Sequence, residues 1–173
     1  DAADVLAHVP APRAEELLDE MDRPESEAVR RLLKYDPHTA GGIMTTNILQ
    51  IGPDRPVAEA LRVYQTQEDA PDFAYYFFVV DEAGRLAGVL SMRQVLIAAG
   101  GAIVRDVMTR ELVTVAPDDE PQHVAETIAE YNLLAIPVVD EDQRFVGAIT
   151  VDDVLDVLLK ESWRRGRSRG FGG

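Results

Sequence analysis

Hydrophobic and polar positions recur along this chain in two similar series. Nearly continuous apolar runs at Tyr75–Val80 and Ala135–Val139 predict strands buried on both faces, since a half-exposed strand would alternate polar and apolar side chains. A polar turn and a second strand follow each run, at Leu86–Ser91 and at Phe145–Thr150. The two series therefore predict two strand pairs of the same kind.

Helices are predicted on both sides of each strand pair. Pro56 and Pro121 are suited to the first turn of a helix, and the residues that follow them carry helical apolar spacing. The predicted helices are Val57–Thr66, Met92–Ala99, Pro121–Tyr131 and Val151–Lys160. With short extended stretches at Ile48–Ile51 and Leu112–Val115, the order is β-α-β-β-α, twice.

The two series are also related residue by residue. Ile43-Met44-Thr45 is echoed 64 residues later by Val107-Met108-Thr109, whereas Val79–Glu82 matches Val138–Glu141 at an offset of 59. The difference between the offsets places about five extra residues in the first copy, near positions 67–73. The chain therefore contains an internal repeat, and the extra residues predict a loop.

The repeats divide the chain into four regions. Residues 40–103 form the first repeat and residues 104–161 the second. Before them, residues 1–39 carry apolar side chains at helical spacing between prolines, which predicts two or three short amphipathic helices and no strand. After them, residues 162–173 are a basic tail rich in Gly and Arg, and we expect positions 164–173 to be flexible.

Charge narrows the classes of partner. The chain has a formal charge of −14, and residues 1–159 hold 12 of its 17 basic and 30 of its 31 acidic side chains, a balance of −18. Phosphate recognition needs clustered positive charge, so we expect no nucleic-acid partner and no anionic membrane partner for this part. Such a charge destabilises a compact state unless something neutralises it, which makes cations candidate ligands.

Other composition features narrow the class further. Hydrophobic residues make up 46% of the chain, which is enough for a packed core, and there is no cysteine for disulfides or thiolate metal sites. No apolar run approaches the roughly 18–20 residues that span a bilayer. We expect a soluble, cytoplasmic module, and a chain that opens on Asp1 suggests a fragment of something longer.

The second repeat contains three notable motifs, Asp106–Thr109, Ile136–Asp140 and Val146–Leu155. Together they resemble the motifs of cystathionine-β-synthase (CBS) domains. The resemblance implies an α+β fold in which the two β-α-β-β-α repeats form a tandem CBS-domain pair, preceded here by a small all-helical N-terminal segment. It also implies that the CBS pair forms one disc-like unit.

Three further segments are more specific: His38–Thr45, the aromatic run Ala74–Asp81 and Thr150–Val157. Together they give the chain a resemblance to the MgtE family of magnesium channels. It implies that residues 1–39 are the C-terminal part of a helical N domain, and that the chain is the cytosolic region of a transporter or a soluble relative. It further implies a homodimer through the CBS domains that senses Mg²⁺ and regulates an attached or associated membrane transport domain.

Acidic residues on the last predicted helix are candidate Mg²⁺ ligands. Asp153 and Asp156 project from one helical face, where like charges are destabilising unless they are paired or bridged by a cation. Mg²⁺ keeps several of its waters and needs only one or two carboxylates from a protein. The resemblance implies three further metal positions, Glu161, Asp4 and Asn132, the last standing where the family carries an aspartate.

The same residues also have simpler interpretations. Acidic side chains in a first helical turn complement the helix dipole, which accounts for Asp153 without a metal. Asp156 can pair with Lys160 at the i+4 position, and Asp4 can be part of a solvated helix end. Arg164 and Arg165 stand where the family has acidic residues, so a cation would not bridge there.

An adenine nucleotide, ATP or AMP, is the competing ligand. By resemblance to CBS pairs, a Ser/Thr-x-x-Asp segment holds the ribose hydroxyls, and Thr150 and Asp153 keep this pattern. The apolar residues expected beside the base are Leu134, Ile136 and Val138. In the equivalent segment of the first repeat, Ser91–Gln94, the last residue is Gln instead of Asp, so this repeat lacks the carboxylate expected to bind the ribose.

Catalytic chemistry has little support in the sequence. The three histidines, His8, His38 and His123, lie in separate segments with no metalloprotease spacing, and no Gly-rich phosphate loop is present. We therefore expect a non-enzymatic regulatory module, with a purely structural dimerisation domain as the weakest alternative.

Overall fold

The computed structural model describes residues 6, 9, 11–66 and 75–168. Two helices in contact with each other open this part, α1 (Ala11–Glu20) and α2 (Arg23–Leu32). Pro12 and Pro24 lie in the first turns of these helices, where a missing backbone N–H costs nothing. Their small core consists of Leu6, Ala14, Leu18 and Val29.

The first repeat forms a three-stranded sheet with helices around it. Its elements are α3 (Ala40–Ile43), β1 (Leu49–Ile51), α4 (Val57–Thr66), β2 (Tyr76–Val80), β3 (Leu86–Ser91) and α5 (Met92–Ile97). The strand order is β1-β2-β3, with β1 parallel to β2 and β2 antiparallel to β3. The parallel pair needs a crossover, which α4 provides.

The second repeat has the same arrangement, except that its first strand is replaced by an isolated bridge. Its elements are α6 (Val104–Val107), α7 (Pro121–Tyr131), β4 (Ala135–Val139), β5 (Phe145–Thr150) and α8 (Val151–Ser168). Strands β4 and β5 pair antiparallel, as β2 and β3 do. Val115 alone stands in for the missing strand, through an isolated parallel bridge to Val138.

The segment that opens each repeat, here called its lead-in segment, forms backbone hydrogen bonds with a strand of the other repeat. Thr45, before β1, exchanges both backbone hydrogen bonds with Ala148 of β5, and Thr109, after α6, does the same with Val89 of β3. Two glycines allow this close approach: a Cβ on Gly88 would lie 2.6 Å from Met108 Sδ, and one on Gly147 would lie 2.7 Å from Met44 Sδ. The two repeats are thus interlocked by backbone pairing.

The two cores are shared in the same way. Val104 packs into the core of the first repeat, and Ala40 and Met44 pack into the core of the second. Leu32, from the end of α2, also belongs to the second core. The aromatic rings of Phe78 and Phe145 stack between the repeats, with centroids 4.8 Å apart. The N-terminal helices are therefore attached to the second repeat by packing.

The structure confirms the predicted α+β fold with its two repeats, and it differs at some element ends. Helix α5 ends at Ile97 instead of Ala99, and positions 112–114 form no strand. Helix α8 continues to Ser168 instead of ending at Lys160, and four of the five residues at positions 164–168 favour helix better than Gly does. The predicted loop near positions 67–73 lies outside the described residues. Among the residues described, no helix is long and apolar enough to cross a membrane.

Candidate metal and nucleotide sites

Asp153 lies in the first turn of α8 and closes a capping box with Thr150. Its carboxylate accepts hydrogen bonds from the Thr150 amide at 3.3 Å and from the Thr150 hydroxyl at 2.6 Å. The Thr150 hydroxyl in turn accepts one from the Asp153 amide at 3.2 Å. This arrangement satisfies amides that a helix start leaves open, so Asp153 has a structural role besides any ligand.

Asp156 lies one turn further along α8, and its side chain is exposed. Asp152, on the same helix, is exposed as well, whereas Asp153 is partly buried. The three carboxylates therefore form a negative surface on the first two turns of α8. The predicted partners Lys160 and Glu161 belong to α8 as backbone, and their side chains lie outside the described residues, as does Asp4.

Asn132 ends α7 in the left-handed conformation, with φ 51° and ψ 48°. Asparagine tolerates this conformation better than most residues, so its identity has a backbone reason independent of a metal. Just beyond it, the Leu134 carbonyl accepts a hydrogen bond from the Val151 amide at 3.0 Å. The structure thus brings the segment around Asn132 next to the first turn of α8, where Asp153 lies.

These groups do not form a dense metal cage. Within the described residues, no group of three or more His, Cys, Asp or Glu side chains is placed to hold a metal ion. Asp156 and Asn132 are instead exposed and Asp153 is partly buried, so their oxygen atoms lie at or near the protein surface. Such a surface suits a cation that retains part of its hydration shell, which is how Mg²⁺ usually binds.

The residues expected beside an adenine base are placed unequally. Leu134 is 45% exposed, whereas Ile136 and Val138 are fully buried in the core of the second repeat. Every residue of β4 is buried, with α7 packed against the strand and β5 paired to it. Only Leu134 of these three is therefore accessible to a ligand in this structure.

Gln94 forms hydrogen bonds that the sequence did not reveal. Its side-chain oxygen accepts from the Ser91 amide at 2.8 Å, and its amide nitrogen donates to the Val107 carbonyl at 2.7 Å. Comparing the two repeats predicts the missing carboxylate at this position. It does not predict that the amide reaches a segment 13 residues further along the chain.

Tyr35 joins the N-terminal helices to the second repeat. It packs against the second core and against Gly41, where a Cβ would lie 2.5 Å from the tyrosine Cγ. Burial raises the pKa of the Tyr35 phenol, and the charges of Asp140 and Asp118 raise it further. The N-terminal helices thus meet an acidic part of the second repeat.

Exposed apolar side chains are concentrated on corresponding helices of the two repeats. Leu96 and Ile97 of α5 are 69% and 65% exposed, and Leu155 and Leu159 of α8 are 49% and 57% exposed. Leu96 and Leu155 occupy equivalent positions of the repeat. Two such surfaces on one chain are typical of an interaction site.

The sequence model of the CBS domain family matches residues 40–101 and 104–160. The magnesium transporter MgtE of Thermus thermophilus is 41% identical over 150 residues, which is 87% of this chain and 33% of that protein. The MgtE of Enterococcus faecalis is 36% identical over 138 residues, 80% of this chain and 30% of that protein. The chain therefore spans about a third of the length of these curated relatives.

A solved structure gives the same relationship in three dimensions. It is the crystal structure of the cytosolic domain of the Mg²⁺ channel MgtE in complex with ATP. The TM-score is 0.82 at 37% sequence identity, and the match covers 90% of this chain and 64% of that chain. The match includes most of the N-terminal helical segment as well as both repeats, so it is more extensive than a likeness of two repeats alone.

Proposed function

This chain belongs to the CBS-domain family, with its two repeats forming a CBS pair, and from that premise we propose that it is a regulatory Mg²⁺-sensing module of a magnesium transporter. The observation that carries the proposal is the likeness over 90% of the chain to the cytosolic domain of the Mg²⁺ channel MgtE. In this proposal the chain acts in the cytoplasm, beside the membrane, on an attached or associated transport domain. It is not an enzyme.

The proposed mechanism rests on charge. Residues 1–159 carry a balance of −18, and α8 presents the carboxylates of Asp153 and Asp156 beside the segment of Asn132. A bound Mg²⁺ offsets the repulsion between acidic surfaces and favours a compact arrangement of the N-terminal helices and the CBS pair. When Mg²⁺ leaves, the carboxylates repel one another and the arrangement loosens.

The module is proposed to act as a homodimer through the CBS pair. The exposed Leu96, Ile97, Leu155 and Leu159 supply an apolar surface for this contact, since burying it removes hydrocarbon from water. We expect light scattering to give twice the chain mass of 19.1 kDa. Leu155→Glu should shift the chain to a monomer and Leu155→Met should not, whereas a monomeric wild type would contradict the dimer.

Thermal unfolding with and without Mg²⁺ tests the sensor. A ligand that binds only the folded state stabilises it by about 2.7 kcal/mol at a hundredfold excess over its Kd. We expect Mg²⁺ to raise the Tm of the wild type well above the effect of NaCl at equal ionic strength, which controls for screening. Small-angle scattering on the same samples should show compaction.

A matched pair of variants localises the effect. Asp156→Asn removes a carboxylate from the proposed surface and should reduce the Mg²⁺-dependent rise in Tm. Asp142→Asn removes the same charge from the exposed β4–β5 turn, at the opposite end of β5 from α8, and should leave the rise intact. A wild-type protein that millimolar Mg²⁺ neither stabilises nor compacts would contradict the proposed Mg²⁺ sensing.

A second candidate function is adenine-nucleotide binding. The solved relative is a complex with ATP, and Thr150 and Asp153 keep the Ser/Thr-x-x-Asp pattern in this chain. The carboxylate of Asp153 would then accept hydrogen bonds from the ribose hydroxyls through the lone pairs that Thr150 does not use. Calorimetry with ATP, on the wild type and on Asp156→Ala, distinguishes the candidates, because Asp156 lies outside this pattern.

A further inference from the structure

Gln94 ties the first repeat to the lead-in segment of the second. Its amide nitrogen donates to the Val107 carbonyl at 2.7 Å and to the Thr109 hydroxyl at 3.4 Å. Its oxygen accepts from the Ser91 amide at 2.8 Å and from the Ser91 hydroxyl at 2.9 Å. The two sides fix the orientation of the amide, since the Ser91 amide can only donate and the Val107 carbonyl can only accept.

The equivalent position of the second repeat cannot form the same tie. Asp153 corresponds to Gln94, and its carboxylate bonds Thr150 as Gln94 bonds Ser91. An ionised carboxylate has no hydrogen to donate, so it cannot bridge to the carbonyl of Ile43, which is the counterpart of Val107. The two halves of the CBS pair therefore differ in whether this side chain bonds the lead-in segment of the other repeat.

The tie also occupies the space between Ser91 and Val107 in the first repeat. A hydrogen bond of 2.7 Å between Gln94 and Val107 leaves no space for a ligand atom between them, and both ends of the amide are occupied by protein partners. A ribose brings two neighbouring hydroxyl donors, which a carboxylate can accept together. The side-chain oxygen of Gln94 already accepts two hydrogen bonds.

We propose that Gln94 is a specificity residue that closes the first repeat to adenine nucleotides. Each chain then has one nucleotide site, at Thr150 and Asp153. The proposal rests on the second candidate function, nucleotide binding. It makes the CBS pair asymmetric: the first repeat is fastened by its own side chain, and the second can respond to a ligand.

A reciprocal exchange tests this assignment. Calorimetry with ATP in the presence of EDTA, which removes divalent cations, should give one site per chain in the wild type. Gln94→Asp should raise this to two sites, whereas Asp153→Gln should abolish binding or weaken it at least tenfold. The double exchange should restore one site. A Gln94→Asp chain that still binds one ATP, or a wild type that binds none, overturns the proposal.

Hydrogen exchange provides a second readout that needs no nucleotide. Gln94→Glu keeps the length of the side chain and loses the donor to Val107, so the Thr109 amide, which donates to Val89, should exchange about fivefold faster. Gln122→Glu is the matched control, because Gln122 bonds only within its own helix to Glu126 among the contacts described. Unchanged exchange in Gln94→Glu would show that the tie does not hold the segment.

The outcome is separable from that of the Mg²⁺ sensor. The hydrogen bonds described for the Gln94 side chain run to Ser91, Val107 and Thr109, none of which lies in α8, so Gln94→Asp should leave the Mg²⁺-dependent rise in Tm unchanged. A wild type without any response to Mg²⁺ but with the expected ATP stoichiometries contradicts the sensor alone. The reverse pattern contradicts the role of Gln94 alone.

Discussion

Gly88 lies where the lead-in segment of the second repeat crosses β3, and Gly88→Ala is the sharpest test of the interlocked backbone. The added Cβ would lie 2.6 Å from Met108 Sδ and 2.9 Å from the Thr109 carbonyl oxygen. The Met108 side chain can move away because it is flexible. The Thr109 carbonyl cannot move without lengthening its hydrogen bond from the Val89 amide, which is 3.0 Å.

The expected cost follows from these two contacts. Overpacking in a folded interior costs about 1–3 kcal/mol, and a weakened backbone hydrogen bond adds about 1 kcal/mol. We therefore expect Gly88→Ala to lower the free energy of unfolding by about 2–4 kcal/mol, which is roughly 4–16 °C in Tm for a chain of this size. Urea unfolding measures the free energy, provided that the slope with urea is unchanged.

Two further variants test whether the loss of stability comes from the close contacts at Gly88. Gly100→Ala is the control, because a Cβ there meets nothing within 4 Å and the residue has no positive φ, so its stability should stay within about 0.5 kcal/mol or rise slightly. The cost of Gly88→Ala should be smaller when it is measured in a Met108→Ala background than in the wild type, but it should not vanish, since the Thr109 carbonyl remains. Gly88→Ala at wild-type stability would refute the close crossing.

Two other variants test the N-terminal attachment and a turn. Leu32→Ala should lower the free energy of unfolding in urea by about 2–4 kcal/mol, because Leu32 lies in the core of the second repeat. Leu33→Ala should lower it less, because Leu33 is only partly buried beside the N-terminal core. Equal losses would contradict the attachment of the N-terminal helices to the second repeat. The Arg85 amide, with the Arg85 guanidinium and the Ala83 amide, lowers the pKa of Asp81 below its ordinary value of 3.8. The stabilisation is present above pH 3.8 and is lost as the pH falls through the lowered pKa, so Asp81→Asn should flatten the acid limb of the stability–pH curve and Glu82→Gln should not.

Much of the fold was predictable from the sequence because its signals are local. The predicted helices Val57–Thr66 and Pro121–Tyr131 coincide with α4 and α7, and the strand Ala135–Val139 coincides with β4. Apolar periodicity and a proline in the first turn are properties of neighbouring residues. Element ends were less accurate where signals compete, as in α8, where Gly166 and the arginines pull in opposite directions.

The candidate sites were predictable only in part. The negative surface of Asp153 and Asp156 follows from their spacing on one helix, and the structure places Asn132 and its neighbours beside it. The apolar run Ala135–Val139 already predicts that Ile136 and Val138 are buried, whereas the sequence does not show that Leu134, just before the strand, stays 45% exposed.

The sequence by itself determined the repeat, the order of its elements, the acidic balance and the loss of a carboxylate at Gln94. Only the tertiary structure decided which residues distant in sequence contact each other. Thr45 pairs with Ala148, Leu32 lies in the second core, and the Gln94 side-chain amide donates to the Val107 carbonyl. The physical reason is that periodicity records which side chains must leave water. It does not record which distant backbone group or cavity will receive them, because that depends on close packing of the whole chain.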